Sequence, residues 1–196
     1  MPSKNDADYI LCNHPQKITV REVRELLSQK DDCSKQRLIV LIDHRLRGRY
    51  LHPIENLPAS KKSGFLMMAV ACLLIETLES FRLGIRDTNK VKGCCLFTNF
   101  FRRESSLFPG FSYPEMDFYK HIRCGILHQA ETTGGYRIVR KGGLLTDGAI
   151  NATEFVKALT TCLDAYLDDL KNKSLGDDIW VKAEKKILFI CNNCCT

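Results

Sequence analysis

The chain has 196 residues, 44% apolar and 27% charged, a composition that excludes a disordered or fibrous protein and suits one domain with a real core. Lysine and arginine number 29 against 23 acidic residues, and the net charge of +6 fits a polyanionic partner without specifying one. Residues 1–16 read as a loose polar lead-in, without the basic-then-apolar pattern of a secretory signal. "TVREVRELLSQ" then opens with a capping box, in which Thr19 accepts from the first turn and Glu22 reaches back. A second helix is expected from Ser34 to Arg47, with Leu38, Leu41 and Ile42 inward. "GRYLHPIENLPASKKSG" reads as a loop, because Pro53 and Pro58 interrupt helix. A third helix, Ser63 to Leu83, is apolar nearly all round in its first half, as a helix in the middle of a bundle is. Its apolar run from Gly64 to Ile75 falls short of the about 20 residues that span a bilayer, so no membrane segment is expected.

After a turn from Gly84 to Val91, "KGCCLFTNFFRRE" gives a two-sided apolar helix through Leu96, Phe97, Phe100 and Phe101. "SSLFPGFSYP" is an aromatic loop. Pro114 suits the first position of the next helix, with Glu115 and Asp117 in its first turn. That helix turns Met116, Tyr119, Ile122 and Ile126 inward and ends between His128 and Glu131. "GGYRIVRKGGLLTDG" is the one strand-like part, two extended runs flanking Gly142–Gly143 as a hairpin. Asn151 can cap the clearest helix, on which Phe155, Leu159, Cys162, Leu163, Tyr166, Leu167 and Leu170 recur at helical spacing. A last amphipathic segment, Asp178 to Cys191, follows Gly176. The fold class is mainly α: one helical domain over residues 1–196, with a small β-hairpin inserted before the penultimate helix.

The ten cysteines suggest neither a disulfide framework nor a zinc site. Cys72 and Cys162 fall inside apolar helical patterns, where a thiol is a small hydrophobe, and a reducing cytoplasm is expected. "CNNCC" offers Cys191-x2-Cys194, half of a zinc spacing, and no second such pair exists. The Gly134–Gly135 and Gly142–Gly143 pairs lack the lysine and hydroxyl residue of a phosphate loop. The expectation is no metal and no cofactor.

"RCGILH", residues 123 to 128, carries the chemistry of interest. Cutting RNA without a metal needs proton transfer to and from oxygen and a cation beside the phosphate. Histidine serves the first near neutral pH and arginine the second. Five steps along an ideal helix separate Arg123 and His128 by about 140° and about 7.5 Å. On that geometry they share no face. Either the helix loosens at Gly125, a residue that costs about 1 kcal/mol there relative to alanine, or a second copy completes the site across a two-fold axis. By spacing alone, a solvated arginine and a histidine near a helix end are the simpler account. His121 could line a cleft or pair with Asp117, and Lys120 could meet phosphate or only water. Glu76 could orient a site group or mark the end of the apolar face, and Glu79 reads as the helix emerging into water.

Arg-Cys-Gly-Ile-Leu-His late in a helical chain resembles the R-x4-6-H motif of the HEPN superfamily. Its surroundings resemble a bacterial branch of that superfamily: "LLIETLESF", "FTNFF", "FYKHIRCGILHQAETTGGYRI" and "INATEFVKALTTCLDAYLDDL". The likeness covers about residues 60–172. It implies a helical bundle, a homodimer with both motifs at a shared cleft, and a metal-independent endoribonuclease of the toxin or antiviral-defence kind. An antitoxin or defence-system partner would follow from the same resemblance. It also implies that His128 transfers protons and Arg123 binds phosphate; Lys120, His121 and Glu76 are further substrate-site candidates from their positions beside that pair. Cys124 stands where active members often carry asparagine, aspartate or histidine. Other members only bind nucleotides or protein partners, which is the alternative reading.

Overall fold

The computed structural model describes residues 9–58, 61–87, 91–113 and 116–193, so Pro114, Glu115 and the end of "CNNCC" lie outside the described residues. In chain order the elements are β1 (Ile10–Cys12), β2 (Ile18–Thr19), α1 (Val20–Gln29) and α2 (Asp32–Asp43), then α3 (Gly64–Leu83) and α4 (Gly93–Arg103). Next comes α5, π-wound over Tyr119–Cys124 and running on as Gly125–Gln129. β3 (Arg137–Val139), β4 (Leu145–Thr146), β5 (Ala149–Asn151), α6 (Ala152–Asn172) and α7 (Asp178–Asn193) complete the chain. The protein is mainly helical, with a small hairpin directly before the penultimate helix, as its sequence indicates. Packing divides it into two compact units, Met1–Arg49 with Ser80–Arg86 and Ala165–Thr196, and Tyr50–Glu79 with Asp87–Asp164.

In the first unit, β1 pairs antiparallel with β2 and buries Leu11 and Cys12, so the lead-in is structured from residue 10 onward. Thr19 caps α1 by accepting from the Glu22 N–H at 3.3 Å. The Glu22 carboxylate does not reach back to the cap; it pairs with Arg37, whose charged fork is a stronger partner than one amide. Asp31 caps α2 through the Ser34 N–H at 2.7 Å, which starts that helix before Ser34. Leu38, Leu41 and Ile42 are buried as expected, joined by Ile39. The chain beyond Asp43 stays helical, π-wound over His44–Leu51 and then α over His52–Glu55. A loop was the expectation there. Pro53 lies in the first turn of His52–Glu55, where a missing N–H breaks no helical bond. On α7, Trp180 is fully buried and its Nε1–H donates to the Leu170 carbonyl at 2.9 Å.

The second unit is built on an aromatic core. Phe101 of α4 lies 4.8 Å from Phe118 and 5.3 Å from Phe111 between ring centroids, and Phe108 lies 4.9 Å from Phe155 of α6. α3 is 20 residues long, its most apolar 18-residue window has a mean hydropathy of 1.7, and it is long and apolar enough to cross a membrane by length and composition. The shorter run read from the sequence understates it. Its most apolar window is 56% buried, and its side chains Met67, Met68, Ala71, Cys72, Leu74, Ile75 and Leu78 are packed as a core helix packs them. Glu79 does not emerge into water: it is completely buried and paired with Arg103.

The small sheet has the order β3-β5-β4. β3 runs parallel to β5, and β4 pairs antiparallel with β5 in the register Leu145↔Ile150 and Thr146↔Ala149. The hairpin therefore turns at Asp147–Gly148, not at Gly142–Gly143. Both turn residues have positive φ, 48° and 74°, the conformation that a two-residue Asp-Gly hairpin turn demands. Asn151 caps α6 from the end of β5, accepting from Thr153 N–H at 3.0 Å, and its amide donates to the Gly142 carbonyl at 2.6 Å.

Candidate functional site

α5 begins where Asp117, held at φ 28°, accepts from the Lys120 N–H at 3.2 Å. From Tyr119 to Cys124 the backbone winds more widely than an α-helix, and π-winding of this kind is common at functional sites. Two packing features accompany the wide winding. A Cβ on Gly93 would lie 2.5 Å from the Tyr119 ring, so only glycine at the start of α4 lets that ring seat. At the other end, a Cβ on Gly125 would lie 2.4 Å from the Glu131 carbonyl oxygen, because the chain leaving α5 folds back against the helix. Ala130 makes that reversal in the left-handed conformation, φ 55°, and the Glu131 N–H returns to the Gly125 carbonyl at 3.3 Å. The glycine in "RCGILH" is thus a point of close approach.

Gly125→Ala tests this. Alanine gains about 1 kcal/mol of helix propensity, but overpacking against a fixed backbone oxygen belongs at the upper end of about 1–3 kcal/mol. A net loss of about 2 kcal/mol is expected in denaturant melts. A variant as stable as the wild type would show that the return strand is not held where described.

Arg123 and His128 meet within one chain. Arg123 Nη1 lies 3.1 Å from His128 Nε2, and Arg123 Nε donates to Glu76 Oε1 of α3 at 2.8 Å. The ideal-helix separation fails for two reasons. The backbone up to Cys124 is not wound at α-helical pitch, and an arginine side chain spans more than a turn of helix. With the pair already in contact, divergence of the side chains gives no ground for a second copy.

Arginine has only donors, so a hydrogen bond in this contact requires His128 Nε2 to be the acceptor, with the ring proton on Nδ1. Two of the five guanidinium N–H groups are engaged by Glu76 and His128. Arg123 and Glu76 are each 18% exposed, whereas His128 is open to solvent. Partial burial alone would loosen the guanidinium proton, but the hydrogen bond and charge of Glu76 hold it more firmly than usual. The cation is permanent.

Tyr119 is a member of the site that reading the sequence for an inward face missed. Its ring lies 5.4 Å from Arg123 Cζ, in cation–π contact, and its i to i+4 spacing from Arg123 was the available signal. Burial, then the neighbouring Cys124, raises the phenol's pKa and keeps it protonated. Beneath the pair, Cys72 is buried; desolvation and then the Glu76 charge push its thiol far up, so it does not compete with Glu76 as an anion.

The remaining candidates are placed differently. Glu76 is at the site. His121 turns away to the loop after α5, where Nδ1 is 2.8 Å from Thr133 Oγ1 and the Thr133 N–H donates to the His121 carbonyl at 3.0 Å. A Cβ on Gly134 would fall 2.7 Å from its ring, so the loop wraps the imidazole closely. Asp117 meets His121 only through its backbone carbonyl. Lys120 is exposed. Among the described residues there is no group of three metal-ligating side chains. Comparison with family models, curated proteins and solved structures gave no match.

Proposed function

We propose that the protein is a metal-independent endoribonuclease of the HEPN type, cytoplasmic, and a dimer in its working form. The contact between Arg123 and His128, with Glu76 bracing the far side of the guanidinium, supports this most directly. A neutral imidazole can take the proton of an RNA 2′-hydroxyl through Nε2 once the phosphate draws the Arg123 Nη1 away from that lone pair. The freed oxygen attacks the adjacent phosphorus, the bond to the 5′-oxygen breaks, the departing 5′-oxygen takes a proton from water, and a 2′,3′-cyclic phosphate forms. Charge that develops on the phosphate falls beside a guanidinium that Glu76 and Tyr119 have already fixed in place.

The test is incubation of purified protein with single-stranded RNA in the presence of a chelator. Cleavage leaving 2′,3′-cyclic phosphate or its hydrolysis product is expected, with DNA resistant for want of the 2′-hydroxyl. Light scattering should show a dimer at micromolar concentration, with an interface of at least about 1,000 Å². Intact RNA after prolonged incubation would remove the enzymatic reading and leave a module that binds nucleotides or proteins.

A further inference from the structure

A cavity of about 250 Å³ opens in the second unit between α4, the aromatic loop and the start of α5. Its accessible aromatic surface comes from Tyr113 and Tyr119, with Phe97, Phe111 and Phe118 buried behind them, and its lining includes two charged side chains, Arg102 and Asp117. Tyr119 joins this cavity to the site: its ring is 5.7 Å from Phe97 and 5.4 Å from the Arg123 guanidinium carbon. The volume lies just below the roughly 300 Å³ at which cavities for drug-sized ligands begin. It is the scale of one flat ring system.

We propose that this cavity receives one base of the RNA, and guanine in preference to the others. The tyrosine rings can stack any base, since every base has a π-face. The two charges add the choice. Guanine presents two acceptors, O6 and N7, that match a guanidinium fork, and donors at N1 and the exocyclic amine that match a carboxylate. Adenine sets a donor beside its N7 and meets Arg102 with only one acceptor. The Asp117 carboxylate already accepts from the Lys120 N–H through Oδ1, and a carboxylate has lone pairs for further donors. The inference rests on the ribonuclease reading for its phosphate anchor at Arg123; the base site itself rests on the cavity.

The experiment is equilibrium binding of labelled tetranucleotides with 2′-deoxyribose throughout, which lack the attacking hydroxyl, each carrying one guanine, adenine, cytosine or thymine among abasic positions. Wild type is expected to bind the guanine oligomer about tenfold tighter than the rest, the effect of one good bidentate pair. Asp117→Asn keeps an oxygen for the Lys120 N–H and tolerates the positive φ, yet sets an amide against guanine's donors, and should abolish the preference. Cys94→Trp at the exposed rim should fill the cavity and weaken binding of all four. Equal binding of the four oligomers by wild type, or undiminished guanine binding by folded Cys94→Trp, overturns the base site. Cleavage of RNA by the same wild-type protein separates the two ideas. Cutting without base preference keeps the ribonuclease and removes the base site; guanine-dependent binding without cutting does the reverse.

Discussion

His128→Ala is expected to slow RNA cleavage by about 10²- to 10⁴-fold, the worth of a positioned proton-transfer group. Arg123→Ala should cost about 10²- to 10³-fold through lost stabilisation of charge on the phosphate. Arg123→Lys should rescue little, since an ammonium keeps the charge but cannot hold Glu76 and His128 at once with a planar fork. His121→Ala should leave the rate close to that of the wild type while loosening the loop around Thr133, because its ring serves that loop. The pH dependence has a definite sign. The Arg123 contact requires an unprotonated Nε2, so a base role predicts loss of activity on acidification, and loss only on the alkaline side would assign His128 the acid's part instead. Rates are read with matched circular dichroism spectra. If both alanine variants cut as fast as the wild type, the cleavage belongs to a contaminant and the site is not catalytic.

Phe101→Ala is expected to cost about 3–5 kcal/mol, the loss typical of a phenylalanine removed from a closed core. Phe101 is 1% exposed and lies within 6.5 Å of Phe97, Phe100, Phe108, Phe111, Phe118 and Phe155, so no single neighbour can move in to fill the space. Against the roughly 5–15 kcal/mol available to a typical domain, that loss is a large share of the total. The midpoint of urea denaturation should fall with an unchanged slope. A shift worth less than about 1 kcal/mol would mean the aromatic core is loosely packed, contrary to its ring geometry.

Where the sequence could be read correctly, one periodic signal decided the outcome. Phe155 through Leu170 on α6, the four buried positions of α4 and the Asn151 cap depend on local spacing that no distant contact overrides. The third strand and the hairpin turn were missed although "TDGA" carried the Asp-Gly signal; the glycine pair at 142–143 competed with it, and Asn151 explains why that pair is bent otherwise. Arg123 and His128 were singled out as candidates by residue type and by the motif they share. Their contact could not be read that way, because the backbone over Tyr119–Cys124 departs from α-helical pitch, and the contacts that accompany it, Gly93 with the Tyr119 ring and Glu76 with the guanidinium, come from distant parts of the chain. Glu79 was misjudged for a similar reason. Its partner Arg103 is 24 residues away, on a helix whose position no local pattern announces.

Trp180 gives the molecule an optical property. It is the chain's single tryptophan, it is sealed against water, and it belongs to the first unit, whereas Arg123, His128 and the aromatic core belong to the second. Its emission therefore reports the unfolding of one unit while helical ellipticity reports both. Coincident melting curves from the two signals would mean a single cooperative transition, and separated curves would place the candidate site in a body that can open by itself. In the Phe101→Ala variant the same pair of signals becomes a gauge of how far damage in one unit is felt in the other, with no label attached.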